Sequence, residues 1–328
     1  MREPSIKSPL LVIFITALIT SCDHKRPLDN SDGHGWVIVR AAPNEGLCSV
    51  FFLDEHVGWV IGDSVEIRGP TEIVHHPLLL STDDGGQNWS ASILAGAYQK
   101  GLKDICFCDS HHGWIVGTSG LILRTTDGGN AWLRQHSYTL NDLEAGHFID
   151  ANRGWIVGKN GTLLSSADGG EKWARGSVPE AGDVRDVCFA DSCHGWIVAQ
   201  GGILRTEDGG SDWELQFRGD FLGVDFYDGY HGCAVGTHGL VATTEDGGKQ
   251  WDAHTSSVTE GHLYAVDMTR ADEGWVAGDG GIFLARNIGW KWSLSVRATL
   301  DNMRDVCFVS ETEGWAVGGM GHIVRYEP

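Results

Sequence analysis

The feature that most restricts what this chain can fold into is a sentence that it repeats. The clearest copy runs from Leu102 to Gln135 and reads LKDICFCDSHHGWIVGTSGLILRTTDGGNAWLRQ. Two anchors recur: a Gly-Trp step, here Gly113-Trp114, and a box Ser/Thr-x-Asp-x-Gly-x-x-Trp, here Thr125, Asp127, Gly129 and Trp132. The box returns intact at Thr82-Asp84-Gly86-Trp89, Ser166-Asp168-Gly170-Trp173, Thr206-Asp208-Gly210-Trp213 and Thr244-Asp246-Gly248-Trp251, with a worn copy at Ala285-Asn287-Gly289-Trp292. The Gly-Trp step returns at Trp59, Trp155, Trp196, Trp275 and Trp315, with Gly232-Cys233 in the missing slot. A period of about forty residues with two motifs per unit is the mark of a propeller or a solenoid.

Each unit reads as short strands separated by turns. In the clearest copy, Lys103–Cys108 alternates around Ile105 and Phe107, Trp114–Gly117 and Leu121–Thr125 follow, and Ala131–His136 closes the unit after the box turn. Apolar alternation, Gly-rich turns and even spacing predict a four-stranded antiparallel sheet. One such sheet cannot bury both faces alone, whereas sheets packed radially bury them against each other. The units fall at 47–95, 102–136, 144–176, 184–217, 222–254, 263–295 and 303–328. The last stops short, because Pro328 falls where the box Asp should stand. At the other end, Asp32-Gly33-His34-Gly35-Trp36-Val37-Ile38-Val39 resembles the tail of a box and the strand after it. The expected fold is therefore all-β: a seven-bladed β-propeller over 33–328, with its last blade closed by the N-terminal strand. Such closure removes free sheet edges.

The segment before the repeats reads differently. Arg2 and Lys7 precede an uncharged apolar run, Pro9 to Thr20, that is short for a membrane span. It ends in Ile19-Thr20-Ser21-Cys22, which resembles the bacterial lipobox. The expectation is a lipoprotein signal peptide over 1–21, a lipid on Cys22, and a polar tether over 22–32. Export and anchoring to a bacterial membrane, on its periplasmic or cell-surface side, follow from that. The formal net charge of −20 disfavours nucleic acid and anionic membrane as partners of the surface as a whole. Contact with a membrane is expected through the N-terminal lipid, and a monomer is expected.

The repeat wording resembles that of the Asp-box (bacterial neuraminidase repeat) propellers. Within these, GW-x-VG followed by G-x-ILRT-x-DGG-x-x-W is most similar to the photosystem II stability and assembly factor family. The resemblance covers about nine-tenths of the chain and implies the propeller fold. It implies a non-enzymatic scaffold or assembly factor that docks partner proteins through a basic patch. Alternatives are a carbohydrate-binding module and a sialidase-like glycosidase. A sialidase needs an arginine triad and a Tyr/Glu pair, and the six tyrosines offer no evident constellation of that kind. Neither a catalytic residue nor a cofactor is assigned.

The box aspartates Asp84, Asp127, Asp168, Asp208 and Asp246 look like a catalytic or metal set, but turn chemistry explains them better. The carboxylate accepts turn amides, the Ser/Thr hydroxyl joins it, and Gly supplies a positive φ. Cys106, Cys188 and Cys307 share one column of the first strand with His147, Asp225 and Asp267. Buried thiols and a polar lining of a wet channel are expected there, without a metal. Function is expected where the repeat breaks. Asp63–Pro77 is inserted in the first unit, and long insertions in repeats mark binding faces. The expected partner surface is the face that carries this loop and the links between blades. It comprises Arg68, His75, His76, Tyr98, Lys100 and Tyr138, with Lys103, Arg185 and Arg304 from one column of the first strand.

Overall fold

A computed structural model describes residues 35–327, apart from 68–72, 93, 95, 96, 98, 99, 179–181, 257, 258, 287–290, 295–298 and 300. The signal-like segment, Cys22, the tether, Arg68 and Tyr98 lie outside the described residues. What is described forms seven four-stranded antiparallel sheets. Their first strands are Glu45–Phe52, Leu102–Phe107, Leu143–Phe148, Val184–Phe189, Phe221–Phe226, Leu263–Arg270 and Met303–Phe308. Each of these packs on the next, and the last packs on the first. They therefore line a closed ring, and the sheets are the blades of a β-propeller, numbered here in that order. The ring closes through Gly35–Ala41, which pairs antiparallel with His322–Glu327 as the outer strand of blade 7.

The Gly-Trp step explains how blades pack. The five residues Gly113–Gly117 are all buried, as are their counterparts Gly154–Gly158, Gly195–Ala199 and Gly314–Gly318. A strand buried on both faces reads as continuously apolar rather than alternating. Its tryptophan lies flat on a phenylalanine at the end of the next blade's first strand. Trp114 stacks on Phe148 at 3.4 Å, Trp155 on Phe189 at 3.5 Å, Trp196 on Phe226 at 3.5 Å and Trp315 on Phe52 at 3.5 Å. The box tryptophan of that next blade meets the same ring edge-on, as Trp173 meets Phe148 at 6.0 Å and Trp251 meets Phe226 at 5.9 Å. Trp36 plays that part for blade 7, edge-on to Phe308 at 5.7 Å. Burying about 150–250 Å² of tryptophan contributes about 4–6 kcal/mol per junction as an upper bound. The glycine of the step is needed because the blade's own phenylalanine covers it. A Cβ at Gly113 would stand 2.5 Å from the Phe107 ring.

One junction lacks this motif. Between blades 5 and 6, Cys233 replaces the tryptophan and Met268 replaces the phenylalanine, and both are buried. The two substitutions fall together because each ring in the stack exists to cover the other.

The inserted stretch of blade 1 is not a loop. Gly58–Ile67 and Ile73–Thr82 run as two ten-residue strands, paired through Ser64↔His76 to Ile67↔Ile73. The hairpin of the repeat is simply lengthened, because Val65 and Ile67 keep the strand alternation up to a Gly-Pro turn signal.

Candidate functional site

The box turns are closed structural units. Thr125 Oγ1 donates to Asp127 Oδ1 at 2.8 Å and accepts the Gly129 N–H at 2.9 Å. Asp127 Oδ1 also accepts the Ala131 N–H at 2.9 Å, while Gly128 and Gly129 take φ of +72° and +87°. The Ala131 amide, followed by the Thr125 hydroxyl, holds the Asp127 carboxyl below the usual carboxylate range. The other four intact boxes repeat the hydroxyl–carboxylate bond at 2.8–3.0 Å. The turn is then latched to the preceding blade. Trp114 Nε1 donates to Gly169 O at 3.0 Å, Trp155 Nε1 to Gly209 O at 2.8 Å, Trp196 Nε1 to Gly247 O at 3.1 Å and Trp315 Nε1 to Gly85 O at 3.1 Å. The two anchors of the repeat are thus two halves of one inter-blade contact.

A second set of aspartates lines the central channel. Asp104, Asp186 and Asp305 sit at a register shift in the first strands of blades 2, 4 and 7. From there each carboxylate crosses to a neighbouring blade: Asp104 accepts the Gly146 N–H, Asp186 the Val224 N–H and Asp305 the Val50 N–H, all at 2.9 Å. Asp225 and Asp267 do the same one layer further along, accepting Met268 N–H at 2.8 Å and Phe308 N–H at 2.5 Å. Burial dominates these groups despite the amide donors. It pushes Asp104 up, Asp186 and Asp267 well up, and Asp305 to about 7, with the neighbouring carboxylates adding to it for the last three. Burial likewise lowers His147 to about 4 and raises the Cys188 and Cys307 thiols. The channel is a ring of blade-to-blade clips. Among the described residues no group of three or more His, Cys, Asp or Glu could hold a metal ion, and every described cysteine is a free thiol.

The Asp104 set escaped the sequence reading, although its signal was present. Lys103-Asp104-Ile105-Cys106-Phe107, Arg185-Asp186-Val187-Cys188-Phe189 and Arg304-Asp305-Val306-Cys307-Phe308 are the same five-residue phrase in three blades.

A cleft opens on the link face. Its volume is about 590 Å³, and it lies between the lengthened hairpin of blade 1 and the start of blade 2. It is lined by Asp63, Val74, His75, His76, Pro77 and Lys100, with Cys48 and Leu102 at its base. His75 Nδ1 lies 2.5 Å from Asp63 Oδ2, and His76 Nε2 lies 3.0 Å from Glu66 Oε2. These contacts brace the hairpin across its strands. Burial leads the causes that raise the Cys48 thiol, followed by Asp104 and Asp305, and its single S–H has Ile61 O at 3.5 Å and Leu102 O at 3.4 Å as alternative acceptors. The cleft offers apolar walls, hydrogen-bonding imidazoles and one ammonium, which suits a segment of extended chain rather than a reaction.

The three cations of the first-strand column stand around the channel mouth in different states. Lys103 Nζ pairs with Glu144 at 3.2 Å, and Arg185 Nη1 pairs with Asp220 Oδ1 at 2.6 Å. Arg304 makes no ion pair among the described residues. Its guanidinium lies over the Tyr264 ring, 4.4 Å from the centroid, and Tyr264 Oη is fixed by Asp279 Oδ1 at 2.7 Å. The fork of Arg304 is exposed. Tyr138 stands apart from the cleft, in a groove of about 520 Å³ beside the outer strand of blade 2 with Leu133, Arg134 and His136. The structure therefore brings His75, His76 and Lys100 together, leaves Lys103, Arg185 and Arg304 spread over three blades, and places Tyr138 in a separate groove.

Comparison with known proteins places these features in context. The family described as photosynthesis system II assembly factor YCF48 matches residues 93–180 and 213–300, more than half of the chain. The photosystem II assembly lipoprotein Ycf48 of Synechococcus sp. (strain CC9902) is 28% identical over 126 residues, 38% of this chain and 34% of that protein. The match thus spans about a third of that relative's length. Among solved structures, YCF48 bound to a D1 peptide superposes with a TM-score of 0.71 at 20% identity, covering 92% of this chain and 96% of that one. YCF48 from Cyanidioschyzon merolae gives 0.71 at 18% identity, covering 90% and 99%. A catalytically inactive virginiamycin B lyase from Staphylococcus aureus, with quinupristin, gives 0.70 at 13% identity, covering 90% and 99%. At these identities the superpositions show the fold alone.

Proposed function

Because the chain belongs to the photosynthesis system II assembly factor YCF48 family, we propose that it is a non-enzymatic docking scaffold held outside the cytoplasmic membrane by a lipid on Cys22. In this reading it holds an extended segment of a protein partner on its link face. The observation that carries the reading is the blade 1 cleft, which lies between the lengthened hairpin and the start of blade 2. Extended segments dock where apolar walls alternate with a few fixed polar groups. Val74, Pro77 and Leu102 supply the walls, and His75, His76 and Lys100 the polar groups. The exposed fork of Arg304 supplies a second anchor, since a guanidinium stacked on a ring is preorganised for a carboxylate. That a relative's structure holds a D1 peptide supports peptide binding as the mode. The partner of this chain is defined only by that chemistry: an extended segment carrying a carboxylate.

The test is a photo-reactive residue at position 100 in the full chain, cross-linked in native membranes, with the same residue at position 215 on the outer strand of blade 4 as control. A protein adduct at 100, weakened by Arg304→Ala and absent at 215, is expected. Adducts at 215 and none at 100 would remove the link face as the docking surface.

A further inference from the structure

The junction between blades 5 and 6 lacks the contacts with which the repeat joins blades at the rim. The other six junctions each carry an indole lying on a phenylalanine, at centroid distances of 3.4–4.9 Å. Between blades 5 and 6 the same places hold Cys233 and Met268. A thiol has no indole N–H to reach the next blade's turn, as Trp196 Nε1 reaches Gly247 O. The turn that it would reach is itself altered, since Ala285 and Asn287 replace the hydroxyl and the carboxylate of the box. Stack, latch and turn are thus lost together at one seam.

Apolar packing and a clip at the channel hold this seam. Cys233, Val235 and Val241 of blade 5 cluster with Leu263, Val266 and Met268 of blade 6, without a ring among them. Such side chains bury less area than the 150–250 Å² or so of an aromatic one. At the channel, Asp225 accepts the Met268 N–H at 2.8 Å. In the corresponding place between blades 7 and 1, the Cys307 sulfur accepts the Phe52 N–H at 3.3 Å. A carboxyl oxygen is a better acceptor than a thiol sulfur. The seam is therefore firm at the channel and weak at the rim. On its other side blade 6 is bound to blade 7, where Trp36, Trp275, Phe308 and Tyr326 pack on one another.

We propose that the seam between blades 5 and 6 is the joint of the ring: its rim edge parts and recloses in the folded protein while the Asp225 clip holds its channel edge. Blades 6 and 7 then move together against blade 5. In the seven-membered ring this seam lies opposite blade 2. The joint lets the circumference change while the stacks on either side of blade 1, Trp315 on Phe52 and Trp59 on Phe107, stay closed.

The experiment is modification of the full chain, in detergent, with N-ethylmaleimide, followed peptide by peptide by mass spectrometry. Cys233 is fully buried, so its thiol reacts only when the seam opens or the chain unfolds. Val198→Cys places the same probe in the junction between blades 4 and 5, equally buried and beside the stacked Trp196. Cys233 is expected to react about tenfold faster than the thiol at 198, because openings that expose few contacts are the commonest. Its rate should stay level up to about 1 M urea, since a local opening exposes little surface. Asp225→Ala should raise the Cys233 rate further. Cys233→Trp with Met268→Phe, probed through Val235→Cys, should react as slowly as the thiol at 198; a fast thiol there would mean that the missing rings do not free the seam. Whether or not that variant folds, the parent decides: equal rates at Cys233 and 198, or a Cys233 rate that climbs with urea as global unfolding does, overturn the proposal. An Asp225→Ala chain with an unchanged Cys233 rate overturns the pivot at the channel.

Discussion

The same residue does opposite electrostatic work at two radii of this propeller. At the rim, Asp127 accepts a hydroxyl and a backbone amide in a turn open to water, and its carboxyl is held below the usual range. In the channel, Asp305 accepts the amides of Val50 and Val306 at 2.9 Å, and its carboxyl is pushed up to about 7. The number of amide donors therefore does not decide the charge. Access to water does: at the rim hydration and amides act together, whereas in the channel desolvation outweighs similar donors. Both sets are structural, the rim set closing turns within a blade and the channel set clipping one blade to the next.

The largest effect should come from breaking the contact that joins a rim turn to its neighbouring blade. Trp196→Ala removes the stack on Phe226 and the bond to Gly247 O, and should cost about 3–5 kcal/mol in urea unfolding. Cys233→Ala, at the junction where the stack is absent, should cost about 1 kcal/mol. Equal costs at the two positions would mean that the tryptophan stack is not what holds blades together.

Next in size is the channel set, read through pH. A carboxyl raised from 3.8 to about 7 in the folded state contributes stability that is complete below about pH 4 and lost as pH rises through 7. Asp305→Asn keeps an oxygen for the Val50 amide and removes the charge. The variant should match the parent below about pH 4, and should melt at a higher temperature at pH 8. A parent whose melting temperature rises between pH 5 and pH 8 relative to Asp305→Asn would place Asp305 ionised in the fold.

Much of this frame was legible in the sequence, because it depends on local repetition. The hydroxyl–carboxylate turn follows from Thr125, Asp127 and Gly129 alone, and the closing strand follows from Trp36 standing where a box tryptophan is missing. What escaped depends on contacts between repeats. That Trp114 lies on Phe148 of the following blade, and reaches the carbonyl of Gly169 there, cannot be read from either unit by itself. The insertion was read as a loop since Arg68-Gly69-Pro70 dominates the eye. Val65, Ile67 and Ile73, on either side of that stretch of sequence, carried the hairpin signal. The link-face cleft was legible only as a region: His75, His76 and Lys100 meet there, while Tyr138 belongs to another groove because the link after blade 2 carries it outward.

The smallest expected effect sharpens the contrast most. A rim carboxyl held below its ordinary value contributes stability that is present above about pH 4 and is lost as pH falls through its depressed folded value. The rim and channel sets should thus shape opposite limbs of one stability profile, the rim the acid limb and the channel the limb above neutrality. Asp127 is open to solvent, so water can replace part of what its carboxylate provides, and Asp127→Asn should lower the melting temperature at pH 7 by only about 1–2 °C. Its difference from the parent should shrink as pH is lowered toward 3, where the parent's own carboxyl takes up a proton. Asp305→Asn should show the reverse, a difference that grows as pH is raised. If both variants diverge from the parent on the same limb, the two sets share one environment, and the distinction between rim and channel is lost.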